Sequence, residues 1–421
     1  MGQGWYDLEM DFGAKKDNTI NDLQLFFNSL QDEDTVFIPR GVFTLKPFSL
    51  KNKRNIRFEG NGTLKRSVLT SGNFISIDGC EGITLGINID NSDMNNAAIY
   101  MKDCANFSFK KTKIKNLYSK DAINVYAVQI TRGCSFGKFE DCEFENIRCQ
   151  NESKASARAI FISNYNVTEN HTIGIEVDNC KFINMISGSD TDAIVIDQLN
   201  FYGYHRIARN HFIDIVKRPI KLLGHGNIVK ENRIFHSGMI GTSFAGFSSY
   251  GNDNLIEGNE IYGIGKNGIW ANFVDCKGAT TIRRNKFYNS DLADTSLTNG
   301  IYVYDNNNGI YNIEVEGNEF RNIRHGLYLN IGTPVDNLKI NNNKFSGTLS
   351  KHIIYLRSLV TKLEINQNSS TTSPQFFLTY DINPILITMN DNNINASWGI
   401  VSPTTHSNLN ANRNINNGIV F

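Results

Sequence analysis

The stretch Asn312-Ile-Glu-Val-Glu-Gly-Asn-Glu-Phe-Arg-Asn-Ile-Arg-His-Gly-Leu-Tyr-Leu329 decides the fold. It opens on a period-two alternation of polar and apolar residues, the pattern of a half-buried strand. Gly317-Asn318 follows, and Asn tolerates the left-handed backbone that a tight corner needs. Then comes Asn-x-Phe, and after another turn a second strand, His325-Gly-Leu-Tyr-Leu.

The motif recurs in both directions along the chain. Asn210-His-Phe, Asn232-Arg-Ile, Asn259-Glu-Ile, Asn285-Lys-Phe, Asn343-Lys-Phe and Asn392-Asn-Ile share the form Asn-x-(Phe/Ile). The large apolar residue falls at Ile89, Ile114, Phe144, Phe182, Phe212, Ile234, Ile261, Phe287, Phe320, Phe345, Ile394 and Ile415. The longest gap, Phe345 to Ile394, spans two coils around a degenerate one, Leu363-Glu-Ile-Asn-Gln-Asn. Stacked at one corner, the Asn side chains would hydrogen-bond up and down a ladder. The expected fold is all-β: a single-stranded right-handed parallel β-helix of about a dozen or more coils. A leucine-rich-repeat horseshoe would need Leu at fixed offsets and a steadier period.

The companion strand opens each coil: Asp121-Ala-Ile-Asn, Arg158-Ala-Ile-Phe, Asp192-Ala-Ile-Val, Arg218-Pro-Ile-Lys, Gly238-Met-Ile-Gly, Asn267-Gly-Ile-Trp, Asn299-Gly-Ile-Tyr, His325-Gly-Leu-Tyr and His352-Ile-Ile-Tyr. The Ile or Leu points inward and the next residue outward. The outward set is then Asn124, Phe161, Val195, Lys221, Gly241, Trp270, Tyr302, Tyr328 and Tyr355. Two positions on it is Tyr126, Ser163, Asp197, Leu223, Ser243, Asn272, Tyr304, Asn330 and Arg357.

Composition agrees. The 421 residues balance 42 Lys+Arg against 42 Asp+Glu, which argues against a nucleic-acid partner. Gly is plentiful at 34 and Pro scarce at 7, suiting many tight turns. No apolar run is long enough for a transmembrane helix, so no membrane insertion is expected. The start, Met1-Gly-Gln-Gly-Trp-Tyr, does not read as a signal peptide. The seven Cys include no CxxC pair. Cys80 with Cys104, and Cys142 with Cys180, read as small buried groups on successive coils.

The N-terminal residues 1–50 read as a cap on a β-helix of residues 51–421. Asp11-Phe-Gly-Ala-Lys-Lys-Asp-Asn-Thr-Ile-Asn-Asp22 leads into a short helix over Leu23 to Leu30. Thr35-Val-Phe-Ile-Pro-Arg-Gly-Val-Phe-Thr-Leu45 follows as strand, turn and strand. These residues, with the coils after them, resemble the pectate-lyase-like β-helix superfamily, most of all its phage tailspike and depolymerase members. That superfamily opens with Asp-Phe-Gly-Ala, a Thr-Asp-Asp-like helix start and a Val-Tyr-Ile-Pro-Pro-Gly-like turn. Lys16 and Arg40 depart from that opening. The resemblance implies action on polysaccharide by hydrolysis, elimination or epimerisation, and a homotrimer in many phage members. It does not choose one reaction.

A site follows from the outward columns. Aromatic faces with hydrogen-bonding groups beside them suit sugar rings, which makes Trp270, Tyr302, Tyr328, Tyr304 and Lys221 the substrate-binding candidates. The plain alternative is a subunit contact or the strand preference of Tyr. Insertions around Cys149–Ala157, Ser187–Thr191 and Tyr288–Thr298 each precede an outward-aromatic strand and would wall a groove. Glycoside hydrolysis generally uses two carboxyl groups, and the candidates are Asp197, Asp305, Asp192 and Asp275. Each of these could instead cap a turn, and Asp121, Arg158, Asp192 and Arg218 could form a charge ladder.

Gly224-His-Gly226 and Thr191-Asp-Ala-Ile resemble motifs of polygalacturonase-like hydrolases, but no Asp-Asp pair lies between them. His225 is therefore a groove residue or a turn residue. Lys217-Arg-Pro falls short of the classical pectate-lyase pattern. Asp clusters could hold Ca2+ in a lyase, yet no ligand spacing supports a metal or other cofactor.

The expected protein is a phage or prophage tail-associated depolymerase of a bacterial surface polysaccharide, located on the virion tail or outside the cell. The alternatives are a lyase or epimerase on the same fold, and a non-catalytic glycan-binding adhesin. Asn417-Gly-Ile-Val-Phe421 reads as the strand of one more coil.

Overall fold

In the computed structural model the chain is a parallel β-helix of three sheets, with one short helix, Gln24–Ser29, among the described residues. The structure describes residues 4–67, 72–93, 96–119, 124–149, 155–164, 171–185, 190–199, 201–236, 245–263, 266–273, 279–288, 299–305, 310–331, 335–347, 352–357, 360–371, 375–379, 386–394, 409–412, 414–416 and 419–420. Two compact units divide the chain. The N-terminal unit is Met1–Gln198 with Gly203–Lys217, and the C-terminal unit is Leu199–Tyr202 with Arg218–Phe421.

Each full coil supplies one strand to each sheet. In the C-terminal unit one coil reads Ile310–Glu316 in the first sheet, Glu319–Arg321 in the second and His325–Ile331 in the third. All pair in parallel and in register with their equivalents. Val315 lies beside Ile282 and Ile340, Phe320 beside Phe287 and Phe345, and Leu327 beside Ile301 and Ile354. In the N-terminal unit the same frame gives Lys138–Glu140, Glu143–Glu145 and Ala157–Ser163.

Register stacks like on like inside. Phe287, Phe320 and Phe345 stack with ring centroids 4.9 Å apart, and Phe182 lies 5.1 Å from Phe144 and 4.8 Å from Phe212. Each fully buried ring contributes roughly 1.5–3 kcal/mol of transfer free energy. The stack also restricts the third sheet. A Cβ on Gly300 or Gly326 would come within 2.5 Å of Phe320 or 2.4 Å of Phe345 respectively. Hence a glycine precedes the inward Ile301 and Leu327.

The Asn corner is a hydrogen-bonded ladder. In the C-terminal unit it runs through Asn232, Asn259, Asn285, Asn318, Asn343, Asn368, Asn392 and Asn414, all buried. Asn318 is representative. Its Oδ1 accepts from the main-chain N–H of Asn285 at 2.9 Å and from Asn285 Nδ2 at 3.1 Å. Its Nδ2 donates to Ile282 O at 2.9 Å and to Asn343 Oδ1 at 3.1 Å. Both polar atoms of a fully buried amide are thereby satisfied. In the N-terminal unit Asn210, Cys180, Cys142 and Thr112 occupy this corner; Cys180 N–H donates to Asn210 Oδ1 at 2.8 Å and Thr112 Oγ1 to Leu85 O at 2.7 Å.

The left-handed residue is the one before each ladder Asn, not the Asn itself. Arg284, Asn342, Gln367 and Asp391 have φ of +55°, +58°, +55° and +55°. The ladder Asn is selected for its side chain, not for its backbone.

The cysteines follow the same logic. Cys142 and Cys180 share the ladder corner, while Cys104 N–H donates to Cys134 Sγ at 3.4 Å at another. The six described cysteines are buried free thiols. Burial pushes the Cys149 thiol up to about 11. Cys276 lies outside the described residues.

The helix Gln24–Ser29 packs on the strand Phe48–Lys51. Gln24 Nε2 donates to Ser49 O at 3.0 Å, and the Ser49 N–H donates to Gln24 Oε1 at 2.8 Å. The Phe27 and Phe48 rings stack at 3.9 Å. The strands Thr35–Ile38, Val42–Leu45 and Phe48–Lys51 pair in parallel with the coil that follows.

Four details differ from the sequence reading. In residues 124–131 the third-sheet strand is Val125–Thr131, with Ala127-Val128 as the inward pair, so Gln129 and Thr131 stand where Asn124 and Tyr126 were expected. In the next unit the strand is Ala245–Ser249, and Ser248 replaces Gly241. Each stretch offers two candidate strand starts, Ala122-Ile123 or Ala127-Val128 and Met239-Ile240 or Gly246-Phe247, and the later one fits the register. Ile415 pairs with Asn393, while Asn414 joins the ladder. Ile419–Val420 pairs antiparallel with Ile415–Asn416 instead of starting another parallel strand.

Candidate functional site

The outer face of the third sheet in the C-terminal unit carries an aromatic column. Register places Lys221, Ser248, Trp270, Tyr302, Tyr328 and Tyr355 side by side on successive coils. Tyr328 lies 5.1 Å from Tyr302 and 4.7 Å from Tyr355, centroid to centroid. Trp270 meets Tyr250 edge-on at 5.8 Å, and Lys221 Nζ sits 5.9 Å from the Tyr250 ring. The rings of Trp270, Tyr302, Tyr328 and Tyr355 are half-buried, less open than the sequence reading had them: the three tyrosines pack in a row and Trp270 packs on Tyr250.

Two flanking columns are polar. On one side Asn272, Tyr304, Asn330 and Arg357 share a register position. Asn330 Nδ2 donates to the Tyr302 hydroxyl at 3.2 Å, and the Tyr302 and Tyr304 rings lie 6.4 Å apart. On the other side Asn267, Asn299, His325 and His352 align. The His325 and His352 rings stack at 5.4 Å and 5°, and they flank Tyr328 and Tyr355 at 5.5 Å and 5.4 Å. Burial raises the phenols of Tyr302 and Tyr328 above the ordinary tyrosine value. Both rings therefore stay neutral at physiological pH and present hydroxyls that can donate or accept.

The same sheet in the N-terminal unit is charged. Tyr126 stacks on Phe161 at 5.0 Å, and the Arg158 guanidinium lies 4.4 Å from the Phe161 ring centroid. Arg158 Nη2 pairs with Asp190 Oδ2 at 3.3 Å. Burial raises the Tyr126 phenol, opposed by the positive charge of Arg158.

The predicted acids separate. Asp197 ends the strand Asp192–Asp197, in register with Ser163, and is half-buried on the outer side. Asp192 starts that strand in register with Arg158 and is fully buried, so a polymer cannot reach it directly. Asp121 is outside the described residues, and Tyr126 takes the place beside Arg158 that was expected for Asp121. Asp305 ends the strand Asn299–Asp305, in register with Phe273 and Ile331. Asp275 lies outside the described residues, as do residues 150–154, 186–189 and 289–298 of the three insertions.

His225 is a corner residue. It is buried, its Nδ1 accepts from Asn252 N–H at 2.7 Å, and its ring packs on Tyr202 at 5.0 Å. Burial lowers its pKa, so the ring is a neutral acceptor holding the turn. Sequence reasoning passed over His325, His352 and Arg158 as site residues. Their signal was present, since each opens a companion strand and that opening position faces the outside. Among the described residues no group of three His, Cys, Asp or Glu gathers to hold a metal ion.

No protein-family description matches this sequence, and no curated protein matches it in sequence. Solved structures do match in shape. PfbA, a surface adhesin of Streptococcus pneumoniae, superposes with a TM-score of 0.56 at 13% identity, over 84% of this chain and 92% of that one. The catalytic unit of a thermostable GH87 alpha-1,3-glucanase from Streptomyces thermodiastaticus gives 0.53 at 12% identity, over 97% of this chain and 70% of that one. A mutant tailspike protein of E. coli bacteriophage HK620, in complex with a pentasaccharide, gives 0.52 at 14% identity, over 91% and 66%. Identity this low speaks for the fold alone. That fold is the right-handed parallel β-helix, which here spans carbohydrate-active enzymes, a tailspike and an adhesin.

Proposed function

We propose that this protein binds and cleaves a bacterial cell-surface polysaccharide, as a depolymerase of phage or prophage tail origin working outside the cell. The observation that carries the reading is the in-register column Trp270, Tyr302, Tyr328 and Tyr355 with polar columns on either side. A rigid row of rings spaced one coil apart, about 4.8 Å, offers a polymer repeated stacking and hydrogen-bonding positions. The glucanase and the tailspike support this, since the same fold serves an alpha-1,3-glucanase in one and is seen with a bound pentasaccharide in the other.

Cleavage is assigned to carboxylates at the ends of third-sheet strands, Asp197 and Asp305. Asp197 takes an outward place after the buried Ile196, and Asp305 directly follows the outward Tyr304. Hydrolysis at either one needs a second carboxyl group within about 5–10 Å, one acting as general acid and the other as base or nucleophile. Trp270, Tyr302, Tyr304, Tyr328 and Lys221 hold the chain. A homotrimer, common in the superfamily that the sequence resembles, would set these faces side by side.

Elimination or epimerisation is the second reading, favoured by the packed group His325, Tyr328, His352 and Tyr355 with Arg357 two positions beyond Tyr355. Tyr and His can move a proton at a sugar carbon while Arg neutralises an adjacent carboxylate.

A panel of bacterial capsular and cell-wall polysaccharides tests the readings together. Hydrolysis releases new reducing ends. Elimination releases an ultraviolet-absorbing unsaturated product, and epimerisation alters the sugar without shortening the polymer. Binding with no chemical change would identify a glycan-binding adhesin and overturn the enzyme reading.

A further inference from the structure

We propose that a lysine groove in the N-terminal unit is a separate binding site for an anionic glycan. The groove has a volume of about 660 Å³ and lies where the first sheet turns into the second. Two coils narrow there to glycine, at Gly60 and Gly86, and the next coil carries Lys110 and Lys111. Gly60 has φ +128°, and a Cβ on it would meet Ile38 O at 2.1 Å, so the recess is fixed by the backbone. Lys111 is the left-handed corner residue of its coil, at φ +53°, and stands exposed beside the recess. Lys113 and Lys115 complete the basic lining, against the single lining carboxylate of Asp90.

The pairing of these charges is uneven. Lys115 Nζ contacts Glu143 and lies 2.9 Å from Glu145, and Lys113 lies 3.8 Å from Glu143. Glu140 is the register neighbour of Lys110, but its carboxylate is taken by Lys138 at 2.9 Å. Among the described residues no carboxylate lies within ion-pair distance of Lys110 or Lys111. Two unneutralised ammonium groups at the rim of a concave polar recess focus positive potential into it. Asn61, Thr63 and Asn88 add hydrogen-bonding groups suited to sugar hydroxyls. No aromatic residue lines the groove, so it has nothing on which to stack a nucleic-acid base. The ligand chemistry that fits is a sugar polymer bearing carboxylate or phosphate groups. This site belongs to the N-terminal unit and the aromatic column to the C-terminal unit, and it stands independently of the function proposed for that column.

The test is titration of the full chain with oligogalacturonate, with poly(glycerol phosphate), with neutral malto-oligosaccharide of matching length and with duplex DNA. At least one of the two anionic polymers should bind, more weakly as salt rises; which one does so separates carboxylate from phosphate recognition. The double variant Lys110→Gln/Lys111→Gln should lose about tenfold in affinity, equivalent to about 1.4 kcal/mol. Lys344→Gln, at an exposed lysine of the C-terminal unit, should leave that affinity unchanged, which separates this groove from general positive charge. Unaltered affinity in the lysine variant, or equal binding of the neutral oligosaccharide, overturns the proposal. Tighter binding of DNA than of either glycan overturns it in favour of a nucleic-acid site.

Discussion

The third sheet has the same inner side in both units and a different outer side in each. Inside, a small residue precedes a buried aliphatic one in three coils of each unit: Ala127-Val128, Ala159-Ile160 and Ala193-Ile194 in the N-terminal unit, Gly268-Ile269, Gly300-Ile301 and Gly326-Leu327 in the C-terminal unit, with Pro219-Ile220 and Ile353-Ile354 departing from it. Outside, the N-terminal unit shows Arg158 paired with Asp190, with Asp197 at the strand end, while the C-terminal unit shows Trp270, Tyr302, Tyr328 and Tyr355. What the two units share is what the coil requires. Where they differ, the coil leaves the choice of outward residue free.

The largest effect should come from the acids. Asp197→Asn should lower the cleavage rate about a thousandfold, within the range for a lost acid–base group, and spare polymer binding. Full retained rates in both Asp197→Asn and Asp305→Asn would remove catalysis from the contrast.

Acid should also separate the units. His205, buried in the N-terminal unit, has its pKa pushed down to about 3 by desolvation. Its Nδ1 accepts from Ile175 N–H at 3.1 Å, so the folded state holds it neutral. The folded pKa is below the unfolded value of about 6.5, so this stability is complete above that pH and drains away as pH falls toward 3. The loss should be on the order of 3 kcal/mol. In the C-terminal unit Asn254 Oδ1 takes the corresponding place, accepting from Asn227 N–H at 2.9 Å, and does not titrate, while at His225 the lowering of the pKa by burial is opposed by the charge of Asp253. Hydrogen exchange followed through acidification should show the N-terminal unit opening first, and His205→Gln should remove that difference. Equal acid sensitivity of both units in the wild type would sink this contrast.

The shared inner side is tested by Gly326→Val. Its branched side chain would overlap the Phe345 ring and Ile353 O, which lie 2.4 Å and 2.6 Å from a Cβ at that site. Destabilisation of about 2 kcal/mol is expected from such overpacking, read as a lower denaturation midpoint. An unchanged midpoint would mean that the small residue is not required.

The smallest effect is expected at the rings. Trp270→Ala should weaken glycan binding about tenfold, or about 1.4 kcal/mol. It should leave the chemical step of bound substrate intact, so the loss should appear in KM more than in kcat.

The coil was legible because the ladder forces one residue type to recur. Asn318 serves the coil before and the coil after with one amide, so its neighbours must be Asn as well. Asn368 keeps its place even where the apolar partner has become Ser370. The frame failed where two candidate strand starts compete, as Gly238-Met-Ile240 does with Ala245-Gly-Phe247, because only the neighbouring coil decides between them. The ring column was legible for the same reason as the ladder, since in-register stacking repeats Tyr302, Tyr328 and Tyr355. Burial of single polar residues was not. Asp192 and His225 look available in the sequence, and both are buried, Asp192 at a strand start and His225 at a corner packed on Tyr202. Exposure at such places depends on chain from other coils, which period and alternation do not report.

The central claim is that the outer third-sheet face handles a polysaccharide. The most direct test compares wild type with the triple variant Trp270→Ala/Tyr302→Ala/Tyr328→Ala on the polysaccharide panel, measuring bound polymer and released reducing ends in the same samples. The account predicts that wild type binds and fragments at least one bacterial surface polysaccharide, and that the triple variant, folded by circular dichroism, loses both binding and fragmentation. A triple variant that binds and cleaves as well as wild type would contradict it.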